Sequence, residues 1–324
     1  MTERNTSAAP ASAAGATGGT DRLGLVLLAS ITLFWGVNWP AMKIAVAEMP
    51  PWTFRTLCLV VGGLGLLAVG RAARLPLRVP PRQLGPLMLV SLFNVTGWHL
   101  FSAFGVLYMA AGRASIIAFT MPLWAALLSV PILGDRLAWS TVTGLAVGMA
   151  GMAVLVIPDW QAVLAQPLGL AFMLLAALSW AAGTVYLKRW QWEMPTSVLA
   201  GWQILIGGVP VTIGALLFER GFDPSAMSWQ GWAAAIYAAL IPMIYCQWAW
   251  FRVVEIYPAA VAAIGTLAIP VLGILSSNLV LHEPIGIDVL LSLVLVTAGL
   301  GLVLFFPQLR TRRTGRPAVA EQDR

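Results

Sequence analysis

Long apolar segments alternate with short polar segments along most of the chain. Their lengths are close to the twenty or so residues that a helix needs to cross about 30 Å of hydrocarbon. Stretches such as LLASITLFW and VLLSLVLVTAGLGLVLFF do not alternate with period two, so they predict helices and not the strands of a membrane barrel. Ten spans are predicted, at 24–47, 53–70, 84–106, 113–133, 138–157, 168–187, 197–218, 229–251, 258–281 and 285–306.

The composition supports this interpretation, because 59% of the 324 residues are hydrophobic and only 10% are charged. Soluble domains carry about 25% charged residues. The sequence therefore predicts an all-α polytopic membrane protein. Residues 1–22 are rich in Ala, Ser, Thr and Gly and have no separate apolar region before the first span, so they predict a disordered tail. Cys58 and Cys246 fall inside apolar segments and match no metal or redox spacing, so both are expected to be buried.

The positions of lysine and arginine predict the orientation of the chain in the membrane. If the N-terminus is cytoplasmic, most of the 19 basic residues lie on that side, including those of a basic tail at 307–324. The positive-inside rule then places both termini in the cytoplasm, as in a multi-pass protein of the bacterial inner membrane. Basic loops that face anionic lipid explain the net charge of +6, so no nucleic-acid partner is expected.

The two halves of the chain resemble each other. A shift of 145 residues places an LGL motif of the first span on the LGL motif of the sixth and Trp35 on Trp180, and a shift of 148 places Pro122 on Pro270. Each half holds five spans, and an odd number means that the second half enters the membrane from the opposite face. Such inverted repeats build alternating-access transporters. The predicted repeats are residues 23–157 and 168–306.

Two stretches in corresponding places carry a more specific resemblance. They are AGRASIIAFTMPLWAALLSVPILGDRL at 111–137 and YPAAVAAIGTLAIPVLGILSSNLVLHEP at 257–284, and each has a small-residue entry, a helix proline and an acidic residue just past the helix end. The chain resembles the drug/metabolite transporter superfamily in its EamA-type branch. With aromatic residues concentrated in the first, third and eighth helices, it is also similar to bacterial exporters of aromatic amino acids. The resemblance implies export of a small metabolite, with no cofactor.

The segment FWGVNWPAMK at 34–43 is unusual for an apolar helix. Pro40 cannot bond the carbonyl of Gly36, so the helix is expected to bend or open locally there, and Pro40 is a candidate hinge. Spacing of i, i+3, i+4 and i+7 places four side chains on one face: Trp35, Asn38, Trp39 and Met42. This face either packs on a neighbouring helix or forms a wall of the substrate site. The second interpretation is favoured because large indoles fit poorly into close helix contacts, which prefer Gly and Ala.

The third span repeats this mixture in FNVTGWHLF at 93–101. Gly97 is expected to leave room beside a polar and aromatic face, and His99 points about 100° away from Trp98. His99 corresponds to Gln247 in the second repeat, so the two polar positions form either a packing contact or two sides of one cavity. The residues predicted to complete a central chamber with those of the first span are Asn94, Trp98, His99, Phe119, Trp180, Thr184, Tyr245 and Trp248.

The 13 acidic residues all lie in the tails, in loops or near segment ends. Exporters of cationic drugs usually need a carboxylate inside the membrane, so such an activity is disfavoured. Transport is then either facilitated or coupled to protons through His99, whose side chain titrates near neutral pH. Lys43 is interpreted as the one cation inside a span, where it either extends to the interface or attracts a carboxylate. Pro122 and Pro270 are predicted hinges in the fourth and ninth helices. Each is expected to weaken the helix at the carbonyl four positions earlier, Ala118 and Thr266 respectively.

Two other classes of protein compete with a transporter. A membrane enzyme needs clustered catalytic side chains, and the sequence shows no such cluster and no metal-ligand pattern. A channel or a non-transporting membrane protein is not excluded by the residues, although inverted repeats with helix prolines favour alternating access. The predicted function is export of neutral metabolites, above all aromatic or bulky apolar amino acids, and the alternative within the transporter class is export of other metabolites or drugs. The expected partners are this small-molecule substrate and the bilayer, and the chain is expected to be monomeric.

Overall fold

The computed structural model describes residues 14–135, 139–157, 167–256 and 268–313, and the regular structure in these ranges is helical throughout. Seven helical segments there are long and apolar enough to cross a membrane: Arg22–Glu48, Pro51–Ala72, Pro81–Tyr108, Ala111–Leu133, Leu168–Arg189, Thr196–Phe218 and Trp229–Trp250. Three apolar helices are shorter: Thr141–Val154, Ile269–Leu281 and Ile287–Leu302. The predicted all-α, multi-pass class is confirmed.

The helices follow one another with short connections. The α-helices are α1 (Ala14–Glu48), α2 (Pro51–Ala72), α3 (Leu84–Ser91), α4 (Trp98–Tyr108), α5 (Ala111–Ala118), α6 (Met121–Leu133), α7 (Trp139–Val156), α8 (Leu168–Arg189), α9 (Thr196–Phe218), α10 (Trp229–Leu240), α11 (Gln247–Ile256), α12 (Ile269–Leu281) and α13 (Ile287–Arg313). Two π-helices interrupt the α-helical geometry, π1 (Leu92–Gly97) between α3 and α4 and π2 (Ile241–Cys246) between α10 and α11. Short 3₁₀ turns precede α3 and α10.

Two predicted boundaries need correction. The helix α1 begins at Ala14, so residues 14–22 are helical and not disordered; the segment AGATGGTDR holds weak helix formers, but adding turns to an existing helix costs much less than starting one. The last helix continues to Arg313, beyond the predicted end at 306, past Pro307 and through Gln, Leu and Arg, which favour helix. The described residues do not include the two ends of the chain, 1–13 and 314–324, or residues 258–267, which begin the predicted ninth span.

The first helix of each half packs against the other half. The helix α1 contacts α12, α10 and α11, and α8 contacts α4, π1 and α6. Each half thus inserts its first helix among the third and fourth segments of its counterpart. The remaining large contacts pair α2 with α9 and α7 with α13. Both cysteines are buried and free, as predicted.

Carboxylates near helix ends bond the starts of other helices. Glu283, after α12, accepts hydrogen bonds from the backbone N–H groups of Ala111 and Gly112 at the start of α5, at 2.8 and 2.9 Å. Glu219, after α9, accepts from the N–H groups of Trp52 and Thr53 at the start of α2, at 3.1 and 2.7 Å. These first-turn donors have no partner within their own helix, and a negative charge there also suits the helix dipole.

Candidate functional site

The proline of the first helix does not end that helix. α1 runs through Pro40 without interruption, so its local opening is limited to the missing backbone bond. The carbonyl of Gly36, which Pro40 cannot bond, accepts a hydrogen bond from Ser276 Oγ of α12 at 3.3 Å. The same hydroxyl also lies 3.2 Å from the carbonyl of Gly273. The freed carbonyl therefore faces protein, which is one of the ways that a broken backbone bond is tolerated inside a membrane.

The two tryptophans beside this proline have different surroundings. Trp39 is only 5% exposed and packs against α12, where the absence of a side chain at Gly273 leaves space for the indole. The argument that large indoles do not fit close helix contacts is therefore wrong for Trp39. Trp35 is half-buried, and its ring centroid lies 6.0 Å from that of Trp250. Trp35 thus retains an accessible part and Trp39 does not.

Three polar residues that were predicted to line the chamber each have one buried side-chain atom without a hydrogen-bond partner in the described part of the chain. These atoms are the side-chain oxygens Oδ1 of Asn38 and Asn94 and the ring nitrogen Nδ1 of His99. A buried polar atom without a partner costs about 1–3 kcal/mol. Such atoms are uncommon in folded proteins and are frequently completed by water or a ligand. These three residues were selected for the chamber from the sequence, whereas four other residues with such atoms were not: Thr56, Ser277, Ser292 and Thr297.

The third helix of each half contains the π-helical turn that the sequence did not predict. Asn94 lies in π1 and Tyr245 in π2. Single π-helical turns inside α-helices occur frequently at functional sites, because the wider turn redirects side chains and backbone groups. The Tyr245 hydroxyl is already bonded to Ser30 Oγ of α1 at 2.7 Å. Its ring therefore remains available for contacts, but its hydroxyl has a protein partner.

Two glycines, Gly97 in π1 and Gly183 in α8, allow these two helices to approach each other closely. Any side chain at Gly97 would collide with Ser179, whose hydroxyl donates to the carbonyl of Phe93 at 2.8 Å. The expected free space beside Gly97 is therefore wrong, because a neighbouring helix fills it. Similarly, Gly183 lets the backbone and side chain of Asn94 approach α8 closely. The predicted residues Trp180 and Thr184, which lie in the same part of α8, are half-buried.

The fourth segment is interrupted where the sequence placed a hinge. α5 ends at Ala118, the residue whose carbonyl Pro122 cannot bond, and α6 begins at Met121. Phe119 and Thr120 lie between them, and both are buried. The predicted break at Ala118 is confirmed. In the second half Pro270 lies in the first turn of α12, while Thr266 is outside the described residues. Motion at either place remains a prediction.

Four of the predicted residues lie in or against one large buried cluster, and others lie elsewhere. Trp39 and Phe119 belong to a large buried cluster, and Trp35 and Trp98 pack against it. Tyr245 packs with Trp35 against a smaller cluster formed by α1 and α11. Trp248 is 36% exposed and lines a separate groove of about 350 Å³ with Val69, Leu240, Ile244 and Tyr245. Within the described ranges, His, Cys, Asp and Glu side chains do not gather in groups that could ligate a metal ion.

Lys43 and Arg55 are basic residues inside the first two spans. The Nζ of Lys43 donates to three carbonyls at the end of α4, at 2.7 to 3.0 Å: Val106, Leu107 and Met109. A cation at a helix C-terminus satisfies its unbonded carbonyls and suits the dipole. Lys43 is not the one cation in a span, because Arg55 lies inside α2 and is buried. The sequence feature that could have indicated a buried Arg55 is its position within an apolar segment.

Proton coupling through His99 can be tested directly. If His99 carries the proton, we expect His99→Gln to remove the dependence of transport on an imposed pH gradient, because glutamine cannot titrate. The measurement is substrate flux in proteoliposomes with and without a gradient. His282→Asn is the control, since His282 ends α12 in a left-handed conformation that asparagine accepts. Gradient-driven flux that persists in His99→Gln excludes His99 as the sole carrier.

The fold and these contacts define a multi-pass helical membrane protein with two related halves. The EamA-like transporter family matches residues 22–157 and 167–305, and the chain belongs to this family within the drug/metabolite transporter superfamily. The chain is similar to the uncharacterized transporter YvbV of Bacillus subtilis (strain 168), with 32% identity over 284 residues, covering 86% of this chain and 90% of the relative.

Two further similarities bear on substrate and fold respectively. A probable amino-acid metabolite efflux pump of Salmonella typhimurium (strain LT2) is 26% identical over 295 residues, covering 88% of this chain and 95% of the pump. A solved crystal structure, described only as that of a protein, matches with a TM-score of 0.61 and 21% identity, covering 92% of this chain and 99% of the other. At this identity the second similarity concerns the fold alone.

Proposed function

We propose that the protein exports aromatic or bulky apolar amino acids across the bacterial inner membrane by alternating access. The observation that carries the proposal is the set of three buried polar atoms without partners, on Asn38, Asn94 and His99, in segments that also hold Trp35 and Trp98. Such a site combines neutral hydrogen-bonding groups with aromatic surface. The relatives named as probable amino-acid metabolite efflux pumps support the same substrate class.

We further propose that the chain spans the membrane ten times, as two inverted repeats at 23–157 and 168–306 with both termini in the cytoplasm. The reciprocal insertion of α1 and α8 into the opposite half supports this arrangement, and so does the π-helix in the third segment of each half. Two copies related in this way exchange their conformations when the site opens to the other side. The distribution of basic residues supports the cytoplasmic placement of the termini.

The chemistry of the site favours neutral, partly apolar solutes. Indole faces contribute about 0.5–1.5 kcal/mol per ring contact beyond the burial of area. Contacts of this size select a ring but still allow release, which a carrier needs for turnover. Asn38 and Asn94 supply amide groups without fixed charge, and the described carboxylates Glu48, Glu219 and Glu283 lie at helix ends. A zwitterion with a large side chain fits these properties.

Substitutions at Trp98 and Asn38 test the proposal. We expect Trp98→Ala to lower counterflow of tryptophan, phenylalanine and methionine several-fold, because a ring contact worth about 0.5–1.5 kcal/mol is lost. Asn38→Ala should lower flux of all substrates alike. Trp229→Ala is the matched control, since Trp229 is 75% exposed at the start of α10. Transport of only nucleotide sugars or organic cations, with no response to aromatic amino acids, would show that the proposal is wrong, and large non-saturating flux would indicate a channel.

A further inference from the structure

A buried arginine at the start of α2 is surrounded by uncharged groups. Arg55 is 4% exposed. Its Nε donates to the carbonyl of His99 at 2.7 Å, and its Nη2 donates to Ser102 Oγ at 2.9 Å and to Met42 Sδ at 2.6 Å. The thiol of Cys58, one turn along α2, also lies beside the guanidinium. Among the residues that the structure describes, Arg55 forms no salt bridge.

This arrangement leaves the positive charge of Arg55 without an opposite charge among the described residues. A cation inside a membrane protein is costly unless an opposite charge or a water-filled cavity compensates for it. Neutral acceptors reduce that cost without supplying the opposite charge. Arginine has five N–H donors arranged in a planar fork, and the bonds to His99, Ser102 and Met42 use only Nε and Nη2, while the remaining neighbours are the weakly polar Cys58 thiol and the Phe54 ring, 5.0 Å from the guanidinium carbon. A guanidinium is well suited to bind a carboxylate, often through two parallel hydrogen bonds.

Arg55 also lies between the two segments of the proposed substrate wall. Met42, which it contacts, is the fourth member of the α1 face that carries Trp35 and Asn38. His99, whose carbonyl it bonds, directly follows Trp98 on α4. A ligand that touches both faces therefore comes close to the guanidinium.

Two other cations, Lys43 and Arg113, already have partners within the protein. Lys43 donates to three carbonyls at the end of α4, so its charge stabilises the C-terminus of that helix. Arg113, at the start of α5, forms a salt bridge with Asp288 at 3.0 Å. Arg55 differs from both, because its described neighbours provide neither a carboxylate nor the carbonyl end of a helix.

We propose that Arg55 binds the carboxylate of the transported solute. The substrate class is then narrower than neutral metabolites: it comprises amino acids and other aromatic or apolar carboxylates, and it excludes the corresponding amines, amides and esters. The inference rests on the proposed export function and adds the group that recognises the acid end of the substrate. The rings of Trp35 and Trp98 then contact the side chain of the same molecule.

The substrate class is tested first on the unchanged, full-length protein in proteoliposomes. Tryptophan counterflow is measured in the presence of one competitor at a time. Indole-3-propionate keeps the carboxylate of tryptophan, whereas tryptophanamide and tryptamine lack it. We expect indole-3-propionate to compete about tenfold more strongly than either of the other two, the effect of one charge-assisted hydrogen bond. Equal competition by tryptamine or tryptophanamide would overturn the inference while leaving the export function intact. Absence of any tryptophan counterflow would instead show that the proposed export function is wrong.

The variants then assign the effect to Arg55. In Arg55→Gln, competition by indole-3-propionate should fall about tenfold, and Arg55→Lys should recover part of it, because lysine keeps the charge but not the planar fork. Arg113→Gln is the control and should keep the preference for carboxylates. Preservation of that preference in a folded Arg55→Gln protein, as judged by its unfolding temperature, overturns the inference. If Arg55→Gln does not fold, the same comparison is decided by Arg55→Lys, and an unchanged preference and affinity for carboxylates in that variant overturns it.

Discussion

Gly299→Ala is expected to destabilise the protein strongly, whereas Gly301→Ala on the same helix is expected to be tolerated. A Cβ atom at Gly299 would lie 2.6 Å from the carbonyl oxygen of Gly144 and from the backbone nitrogen of Gly148, and 2.8 Å from the Cα atom of Gly148. These atoms are backbone, so no side chain can turn aside. The helices α7 and α13 must separate, and overpacking of this kind costs about 1–3 kcal/mol, here at the upper end.

The control is closely matched. A Cβ atom at Gly301 meets no other atom within 4 Å. Alanine has a higher helix propensity than glycine by about 1 kcal/mol, so Gly301→Ala should leave the unfolding temperature unchanged or raise it slightly. The measurement is thermal unfolding of the purified proteins in detergent, combined with the fraction that elutes as a single species. Equal unfolding temperatures for the two variants would mean that α7 and α13 are not in the close contact described.

This contact illustrates how membrane helices associate. Without a hydrophobic driving force in lipid, their association depends on close packing, and glycine lets two backbones approach. Gly151 of α7 likewise lies against Val296 of α13. Gly151 and Gly299 correspond to each other in the two halves, so the internal repeat places a small residue on each side of one helix pair. A repeat visible in the sequence thus has a direct counterpart in packing.

The helices could be predicted from the sequence largely because each depends on a local signal. A run of about twenty apolar residues has few alternatives in a membrane, and the observed helices agree with most predicted spans to within a few residues. The break at Ala118 was also predictable, because proline removes a specific backbone bond. The two π-helices were not, since one additional residue in a turn hardly changes a hydrophobic pattern.

The environments of individual side chains were harder to predict because they depend on distant residues. The burial of Trp39 depends on Gly273, and the role of Lys43 depends on carbonyls of α4. Arg55 was not selected from the sequence, because it lies in the first turn of a predicted span. Its burial follows from contacts with α1 and α4 that no local pattern encodes. Asn38 was selected for its unusual polarity, and its side-chain oxygen has no hydrogen-bond partner among the described residues, while its role in a substrate site stays a prediction.

Replacing both Pro122 and Pro270 by alanine is expected to slow transport about tenfold without reducing membrane insertion. At position 122 an alanine N–H can bond the carbonyl of Ala118, which would join α5 and α6 into one helix. A restored helix bond contributes about 0.5–1.5 kcal/mol, so it can raise the barrier to a hinge motion by an amount that corresponds to as much as roughly tenfold in rate. The same bond should keep or raise the unfolding temperature.

The combination of slower transport with equal or greater stability distinguishes a hinge from a packing defect. Pro131→Ala is the control, because Pro131 lies inside the same helix α6 on its exposed side, away from the break. It should affect stability in the same direction but leave the flux unchanged. The measurements are tryptophan counterflow in proteoliposomes and thermal unfolding of the same preparations. A well-inserted double variant with undiminished flux would show that the interruption between α5 and α6 does not act as a hinge, and that alternating access uses other parts of the two repeats.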